Sequence, residues 1–242
     1  MRTPTCPAVL FAVIAACTGP EAPPDVVLFS RTTGYRHADA IAAARTVLPA
    51  RLEREGLHVQ ATEDPLALEG LTTASVVVFL YTTGDDVLAA AGKAELERFV
   101  RGGGGWVGIH SAADTEYAWP FYQELVVAPF ASHPDLQVAA VDVVAPGHPV
   151  MAPVPTSRWE AEDEWYNFAR DASTTAGVEV LANLDEASYV GGTMGASHPI
   201  IWAHARLGGR ALYSGIGHVA ARWRDTAYLE HVTAAILWAA PP

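Results

Sequence analysis

Three histidines follow short apolar runs of the chain at the points where those runs end. They are His37, His110 and His218. Such runs are typical of buried parallel strands, and open α/β sheets bind ligands at the carboxyl ends of their strands. If the runs belong to one parallel sheet, the three imidazoles meet in one crevice. Neutral imidazoles bind divalent metals, and a titrating imidazole serves as a general acid or base.

Two kinds of chemistry are therefore open at this crevice. His110 and His218 form the central pair, either as ligands of one divalent metal such as zinc or as general acid and base. The spacing of the histidines matches no recognised zinc motif, so the sequence does not choose between the two. Asp114 is the third catalytic candidate, because a carboxylate beside His110 could serve in either scheme.

Further polar and aromatic residues near the strand ends are predicted substrate contacts. The segment 163–166 places two carboxylates beside two aromatic rings. This composition suits sugar recognition, in which rings stack on a pyranose and carboxylates bind its hydroxyls; a half-buried strand with core aromatics is the alternative. The predicted contacts are Arg36, His37, Thr83, Glu116, Tyr117, His133, Asp163, Glu164, Trp165 and His198.

The first 24 residues have the pattern of an export segment. Residues 1–16 are predicted to be a lipoprotein signal peptide, because an arginine precedes an apolar stretch and Ile-Ala-Ala-Cys at 14–17 has the form of a lipobox. Cys17 would carry the lipid, residues 17–24 would form a proline-rich tether, and the folded domain would span 25–240. We expect an exported protein that meets the membrane only through this anchor. Ordinary secretory cleavage nearby is the alternative.

The composition argues against several classes of function. Apolar residues make up 50% and charged residues 17% of the chain, which indicates a well-packed core. The net charge is −12 and no basic stripe is present, so nucleic acid is not an expected partner. Both cysteines, Cys6 and Cys17, lie in the export segment. The folded domain is therefore expected to have no disulfide and no thiol nucleophile.

The segments that must position these residues alternate between strand and helix patterns. Strands are predicted at 25–30, 57–62, 75–81, 106–109 and 211–215, and helices at 38–56, 89–101 and 226–239. Pro49 predicts a kink or a break in the first helix. The alternation predicts an α/β fold with a doubly wound, mainly parallel sheet flanked by helices. Shorter strands at 137–144, 158–163, 178–183 and 200–204 are expected to continue or flank this sheet.

Several long motifs resemble the ThuA-like (trehalose utilisation) family. They are Gly103–Tyr122, Ser132–Pro134, Asp163–Tyr166, Gly191–Pro199 and Tyr213–His218, and they occur in order across nearly the whole predicted domain. The resemblance implies a flavodoxin-like fold of the class I glutamine amidotransferase-like superfamily. It also implies a small-molecule carbohydrate as the partner, namely trehalose, a related disaccharide or a 3-keto derivative.

The same resemblance implies that amidotransferase chemistry is absent. In amidotransferases the turn after the corresponding strand carries a cysteine nucleophile, and a late strand ends in a catalytic histidine followed by proline and glutamate. Here His110 stands in the place of the cysteine and His218 in that of the histidine, while Val219 and Ala220 replace the other two. This chain also has Val127-Ala-Pro-Phe130 where the family usually has Gly-Ala-Tyr-Phe.

Two functions are consistent with the sequence. One is a hydrolase or lyase that processes a disaccharide or keto-disaccharide by histidine-based or metal-assisted chemistry. The other is a non-catalytic sugar-binding lipoprotein of the cell envelope. The sequence leaves open the sugar, the metal and the oligomeric state.

Overall fold

The computed structural model describes residues 25–69, 71, 74, 76–155 and 157–241. The predicted signal peptide, tether and lipidated Cys17 lie outside these residues. Among the helices that are described, none combines the length and the apolar character needed to cross a membrane.

The strands and helices alternate along the chain much as the sequence predicts. In chain order, the strands β1 to β11 are Val26–Phe29, Val59–Thr62, Val76–Leu80, Gly105–Ile109, Phe130–Ser132, Gln137–Val143, Arg158–Asp163, Asn167–Phe168, Val178–Leu184, Pro199–His204 and Ala211–Ser214. The α-helices α1 to α4 are Ala38–Glu53, Ala90–Arg101, Pro120–Val126 and Thr226–Ala239.

Nine strands form one mixed sheet in the order β2-β1-β3-β4-β11-β10-β9-β6-β7. The first five run parallel to one another. The last four extend the sheet with antiparallel pairings. Every residue of β1, β3, β4 and β11 is buried, as expected of strands covered on both faces. The predicted doubly wound, mainly parallel α/β sheet is confirmed.

Helix α1 does not break at Pro49 but continues to Glu53. A proline inside a helix removes one backbone hydrogen bond and crowds the preceding turn. The apolar stripe of α1 extends past that point through Leu48 and Leu52, both of which are fully buried. Packing of this stripe therefore holds the last turn in place, since tertiary contacts supply most of the stability of a helix.

Three short elements are not predicted from the sequence, and two of them position residues with possible roles in function. Strands β5 and β8 pair with each other in a separate ribbon, and α3 has only seven residues. Elements this short show too few repeats for a period to be visible. His133 directly follows β5 and Tyr166 directly precedes β8, so this ribbon places both residues.

The turn after α3 has a strained backbone. Val127 has φ 71° and ψ −59°, and the N–H of Ala128 donates to the carbonyl of Val126 at 2.9 Å. This is the rarer and more strained form of the γ-turn, and positive φ is particularly unfavourable for a β-branched residue. The indole N–H of Trp202 also donates to the Val126 carbonyl, at 3.1 Å. These contacts fix the turn that leads into β5 and His133.

Candidate metal centre and active site

Three histidines and one glutamate meet beyond the carboxyl ends of the parallel strands. One nitrogen each of His37, His110 and His218 and one carboxylate oxygen of Glu164 lie within 4.8 Å of one another. The histidines follow β1, β4 and β11, while Glu164 follows the last residue of β7. The structure thus brings together the three histidines that the strand ends predict and adds Glu164 to them. We call these four residues the histidine–glutamate cluster.

His110 is held rigidly at the strand end. Its φ is 48°, an uncommon value for a residue other than glycine, and its side chain is fully buried. Nδ1 lies 2.9 Å from the carbonyl oxygen of Gly215. A carbonyl only accepts, so Nδ1 carries the proton and Nε2 presents a lone pair. Nε2 lies 3.4 Å from Oε2 of Glu164.

His37 enters the cluster from the start of α1. Its Nδ1 lies 3.3 Å from the hydroxyl of Ser111, and its Nε2 lies 4.0 Å from Oε2 of Glu164. Its ring stands edge-on to the rings of His110 and His218 at centroid distances of 4.9 and 5.0 Å. Burial lowers the pKa of His37 to about 4. The imidazole is therefore neutral at pH 7, the form that binds metals.

Glu164 links the cluster to a fourth histidine. Its Oε2 lies 3.1 Å from Nδ1 of His218, and its Oε1 lies 3.2 Å from Nδ1 of His133. Burial alone would raise the pKa of Glu164, but the imidazoles of His110, His218 and His37 hold it well below its usual range. The interaction with Glu164 in turn raises the pKa of His218. The carboxylate is therefore ionised throughout the physiological range.

The cluster has the donor set of a metal site. His37 Nε2, His110 Nε2 and His218 Nδ1 are buried, and none makes a well-formed hydrogen bond to the described residues. Unpartnered buried polar atoms are rare because they are costly. Ligand atoms of a tetrahedral ion with bonds of about 2.1 Å lie about 3.4 Å apart, whereas the four donor atoms here lie within 4.8 Å of one another, so small side-chain rotations would close the cluster around an ion. Three imidazoles and a carboxylate are a donor set that suits zinc or a similar divalent ion.

Asp163 holds one side of the cluster in position. Its buried carboxylate accepts hydrogen bonds from the backbone N–H groups of Gly217, His218 and Glu164, at 2.9, 2.8 and 2.9 Å. Burial raises the pKa of this carboxyl, although the nearby His110 opposes the shift. The bonds fix the loop that carries His218. Asp163 thus orients the cluster from within the protein and does not face the solvent.

Asp114 and Tyr117 lie beside the cluster as a hydrogen-bonded pair. The Tyr117 hydroxyl donates to Oδ1 of Asp114 at 2.6 Å and also lies 3.2 Å from the carbonyl oxygen of Phe130. Burial raises the pKa of Asp114, while the hydrogen bond from Tyr117 and the charge of His110 oppose the shift. Tyr117 is partly exposed. Asp114 thus lies close enough to His110 for the two groups to interact electrostatically, and Tyr117 holds its carboxyl in place.

His198 acts on the cluster indirectly. Its Nδ1 lies 2.8 Å from Oε1 of Glu186, and its Nε2 lies 2.8 Å from the carbonyl oxygen of Tyr166. The ring of Tyr166 packs 4.3 Å from the ring of His110. His198 therefore anchors the backbone of a residue that packs on the cluster.

The other predicted substrate contacts have partners outside the histidine–glutamate cluster. Thr83, Glu116 and Trp165 are buried, whereas Arg36 is exposed. Arg36 pairs with Glu63 at 2.7 Å, and Glu116 pairs with Lys93 at 2.6 Å. The Thr83 hydroxyl donates to the carbonyl of Tyr35 at 2.5 Å, and the Trp165 indole N–H donates to the carbonyl of Gln137 at 2.8 Å. Their assignment as sugar contacts stays a prediction, and the burial of three of them argues against it.

The sequence groups His37 with the other histidines at the strand ends but assigns it and Glu164 to substrate binding, and it does not single out Glu164 among several candidate carboxylates, whereas the structure places both in the cluster. His37 lies at the end of a polar loop, at a distance from β1 that the sequence does not fix in space. Glu164 follows β7, which forms the far edge of the sheet. The end of β7 contacts the segment that follows β11, through the hydrogen bonds from Gly217 and His218 to Asp163, and no feature of the sequence signals this long-range contact.

The ionised state of Glu164 predicts how the stability of the metal-free protein depends on pH. The pKa of Glu164 in the folded state lies below its unfolded value of about 4.3. Its stabilising contribution is thus complete above the unfolded value and is lost as the pH falls through the folded value. We expect Glu164→Gln to reduce the free energy of unfolding by about 1–3 kcal/mol at pH 7. The difference in the free energy of unfolding between Glu164→Gln and the wild type becomes smaller below about pH 4.

Urea unfolding of both proteins in the presence of a chelator, at pH 7 and below pH 4, measures this difference. Glu162→Gln is a suitable control, because Glu162 is exposed on the same strand. The control should show no such difference from the wild type at pH 7. If the free energies of unfolding of Glu164→Gln and the wild type differ by the same amount at both pH values, the prediction is wrong.

Comparisons with known proteins give the family and the fold. The model of the ThuA family, described as trehalose utilisation, matches residues 25–239. A solved ThuA-like protein of Bacteroides uniformis is 24% identical, with a TM-score of 0.76 over 93% of this chain and 94% of the other. One from Parabacteroides merdae is 17% identical, with a TM-score of 0.69 over 90% of each chain.

A more distant match shares the fold. A GMP synthase protein from Thermoplasma acidophilum is 10% identical, with a TM-score of 0.50 over 89% of this chain and 94% of the other. Among curated proteins, none matches the sequence significantly. At these identities the solved structures establish the fold alone.

Proposed function

Since the chain belongs to the trehalose utilisation (ThuA) family, we propose that it processes a disaccharide such as trehalose, or its 3-keto derivative, at a divalent metal. The histidine–glutamate cluster would hold this ion. One observation carries the proposal: three buried imidazole nitrogens converge on one ionised carboxylate, and none makes a well-formed hydrogen bond to the described residues. Without an ion, the imperfect contacts with Glu164 leave these nitrogens incompletely satisfied, which costs stability.

A bound divalent ion supplies a Lewis acid that polarises a carbonyl or hydroxyl oxygen of the substrate. A ketone at C3 makes the hydrogen on C2 acidic, and C2 is next to the anomeric carbon. The reaction that this arrangement favours is therefore elimination across C1 and C2. A base removes the C2 proton, the electron pair forms a C1–C2 double bond, and the glycosidic C1–O bond breaks. The departing oxygen takes up a proton, which releases the second sugar.

His133 is the candidate base. The neighbours of its Nδ1 are both acceptors, the Glu164 carboxylate at 3.2 Å and the carbonyl of Pro134 at 2.9 Å. Nδ1 therefore carries the proton and leaves a lone pair on Nε2. The side chain is 42% exposed and borders a cavity of about 500 Å³. A carboxylate that orients a histidine in this way is a recurrent means of building a general base.

Asp114 is the candidate proton donor. Burial raises the pKa of its carboxyl, which favours the protonated form that a general acid needs. The hydroxyl of Tyr117 at 2.6 Å holds the carboxyl in one orientation. The base and the acid thus come from the two segments that flank the cluster, after β5 and after β4.

We propose no amidotransferase activity, because His110 occupies the strained strand end at which those enzymes carry their nucleophile and the described residues contain no cysteine. We also propose export and a lipid anchor at Cys17. The support for this is the sequence pattern of residues 1–17.

A conversion assay tests the proposed function. The purified protein is stripped with a chelator, reloaded with zinc, manganese or ferrous iron, and incubated with trehalose or 3-keto-trehalose. We expect glucose to be released from the keto sugar, and only by the metal-loaded protein. Tight metal binding without conversion of either sugar would overturn the enzymatic proposal and favour a sugar-binding protein. Full activity in the stripped protein would overturn the role of the metal.

A further inference from the structure

We propose that the cavity beside the histidine–glutamate cluster is a subsite for one pyranose ring and that Tyr35 is its stacking platform. The inference rests on the proposed function, because it takes the ligand to be a sugar. The cavity has a volume of about 350 Å³ and is bordered by His37 and His218 of the cluster. This volume is within the range of small-molecule sites. A ring seated there would present its glycosidic bond to the cluster.

Tyr35 forms one wall of this cavity with an exposed ring on a fixed backbone. Its side chain is the most exposed aromatic among the described residues, at 69%. The carbonyl of Tyr35 accepts a hydrogen bond from the Thr83 hydroxyl at 2.5 Å. The backbone N–H of Gly34, the residue before Tyr35, donates to the carbonyl of Thr83 at 3.2 Å. A rigid backbone lowers the ordering cost of binding. The ring also lies edge-on to His37 at 4.9 Å, next to the cluster.

The remaining walls suit a neutral sugar. Leu136, 46% exposed, adds a second apolar surface. A pyranose has a flat C–H face, and covering it with an aromatic or aliphatic side chain removes apolar area from water. Asp39 in the first turn of α1 supplies an exposed carboxylate that can accept hydrogen bonds from hydroxyls. Arg36 also borders the cavity, but its guanidinium is paired with Glu63 at 2.7 Å, so the carboxylate of Asp39 disfavours a phosphorylated sugar.

The aromatic residues that the sequence suggested for this task are not accessible. Trp165 is fully buried and Tyr166 is 2% exposed. The indole N–H of Trp165 donates to the carbonyl of Gln137, and Tyr166 packs on His110. Both rings belong to the support of the cluster. The stacking role therefore passes to Tyr35, on the loop after β1.

Three variants test the subsite by calorimetric titration, with trehalose for the metal-loaded protein and with 3-keto-trehalose for the stripped protein, which is not expected to consume it. We expect Tyr35→Ala to weaken binding of the preferred sugar about tenfold or more, because it removes the stacking surface. Tyr35→Phe keeps the ring and should bind within about twofold of the wild type. Leu237→Ala removes an exposed apolar side chain on α4 and serves as the control. Metal content should be unchanged in all three.

The outcomes separate the subsite from the proposed function. If the wild type binds a sugar and Tyr35→Ala binds it equally well, the subsite is wrong and the proposed function stands. If Tyr35→Phe is as weak as Tyr35→Ala, the hydroxyl and not the ring makes the contact, and the stacking role is wrong. If the wild type binds neither sugar, the proposed substrate class and the subsite both fail.

Discussion

The His110→Ala protein is expected to lose at least about 99% of the metal affinity of the wild type. His110 contributes the only fully buried side chain of the histidine–glutamate cluster, and its Nε2 is fixed in the acceptor form by the carbonyl of Gly215. Loss of residues that merely orient metal ligands already weakens binding about 10- to 100-fold, so loss of a ligand should exceed this. Mass spectrometry after dialysis compares the metal content of the two proteins. Titration of the stripped proteins with metal compares their affinities.

The backbone at His110 calls for a second variant. With φ at 48°, alanine is strained in this position and could unfold the site for a reason unrelated to ligation. Asparagine tolerates positive φ and lacks the Nε2 ligand atom, so His110→Asn should fold and still lose the metal. His148→Ala is the matched control, because His148 contacts the backbone N–H of Val150 outside the cluster. Wild-type affinity in a folded His110→Asn protein would refute the metal site.

The His133→Gln protein is expected to bind metal normally but to turn over its substrate about 10²- to 10⁴-fold more slowly, the usual contribution of a general base. Within the described part of the chain, the polar contact of His133 with the cluster is to Oε1 of Glu164, whereas the three histidines of the cluster face Oε2. Glutamine can keep a hydrogen bond to Oε1 and has no basic nitrogen. The loss should therefore fall on kcat, with KM and metal content changed by less than about threefold.

The control for His133 is the residue before it, at the end of β5. Ser132 is exposed, and its hydroxyl accepts only a long contact of 3.4 Å from Asn167. Ser132→Ala should therefore keep wild-type kcat and metal content. If His133→Gln also keeps wild-type kcat, the base lies elsewhere and Asp114→Asn becomes the next variant to measure. If His133→Gln loses its metal, His133 is part of the ion-binding site.

The parallel half of the sheet could be predicted from the sequence because its strands are buried on both faces. Continuous apolar runs such as 76–80 and 106–109 have few interpretations other than a central strand. Chain order and the right-handed crossover then bring their carboxyl ends to one edge. The convergence of His37, His110 and His218 follows from this rule, with no knowledge of side-chain contacts.

The sequence by itself thus determined the fold class, the family resemblance and the edge of the sheet at which the candidate site lies. Only the tertiary structure decided the roles within the site. Glu164 follows the edge strand β7, and only the packing of the loop after that strand places it in the cluster. Asp163 and Trp165 are buried and support the cluster from within the protein. Local patterns encode whether a segment is buried, but they do not encode which long-range partner a loop meets. A carboxylate that follows a strand becomes a ligand, a support or a substrate contact according to where the loop packs.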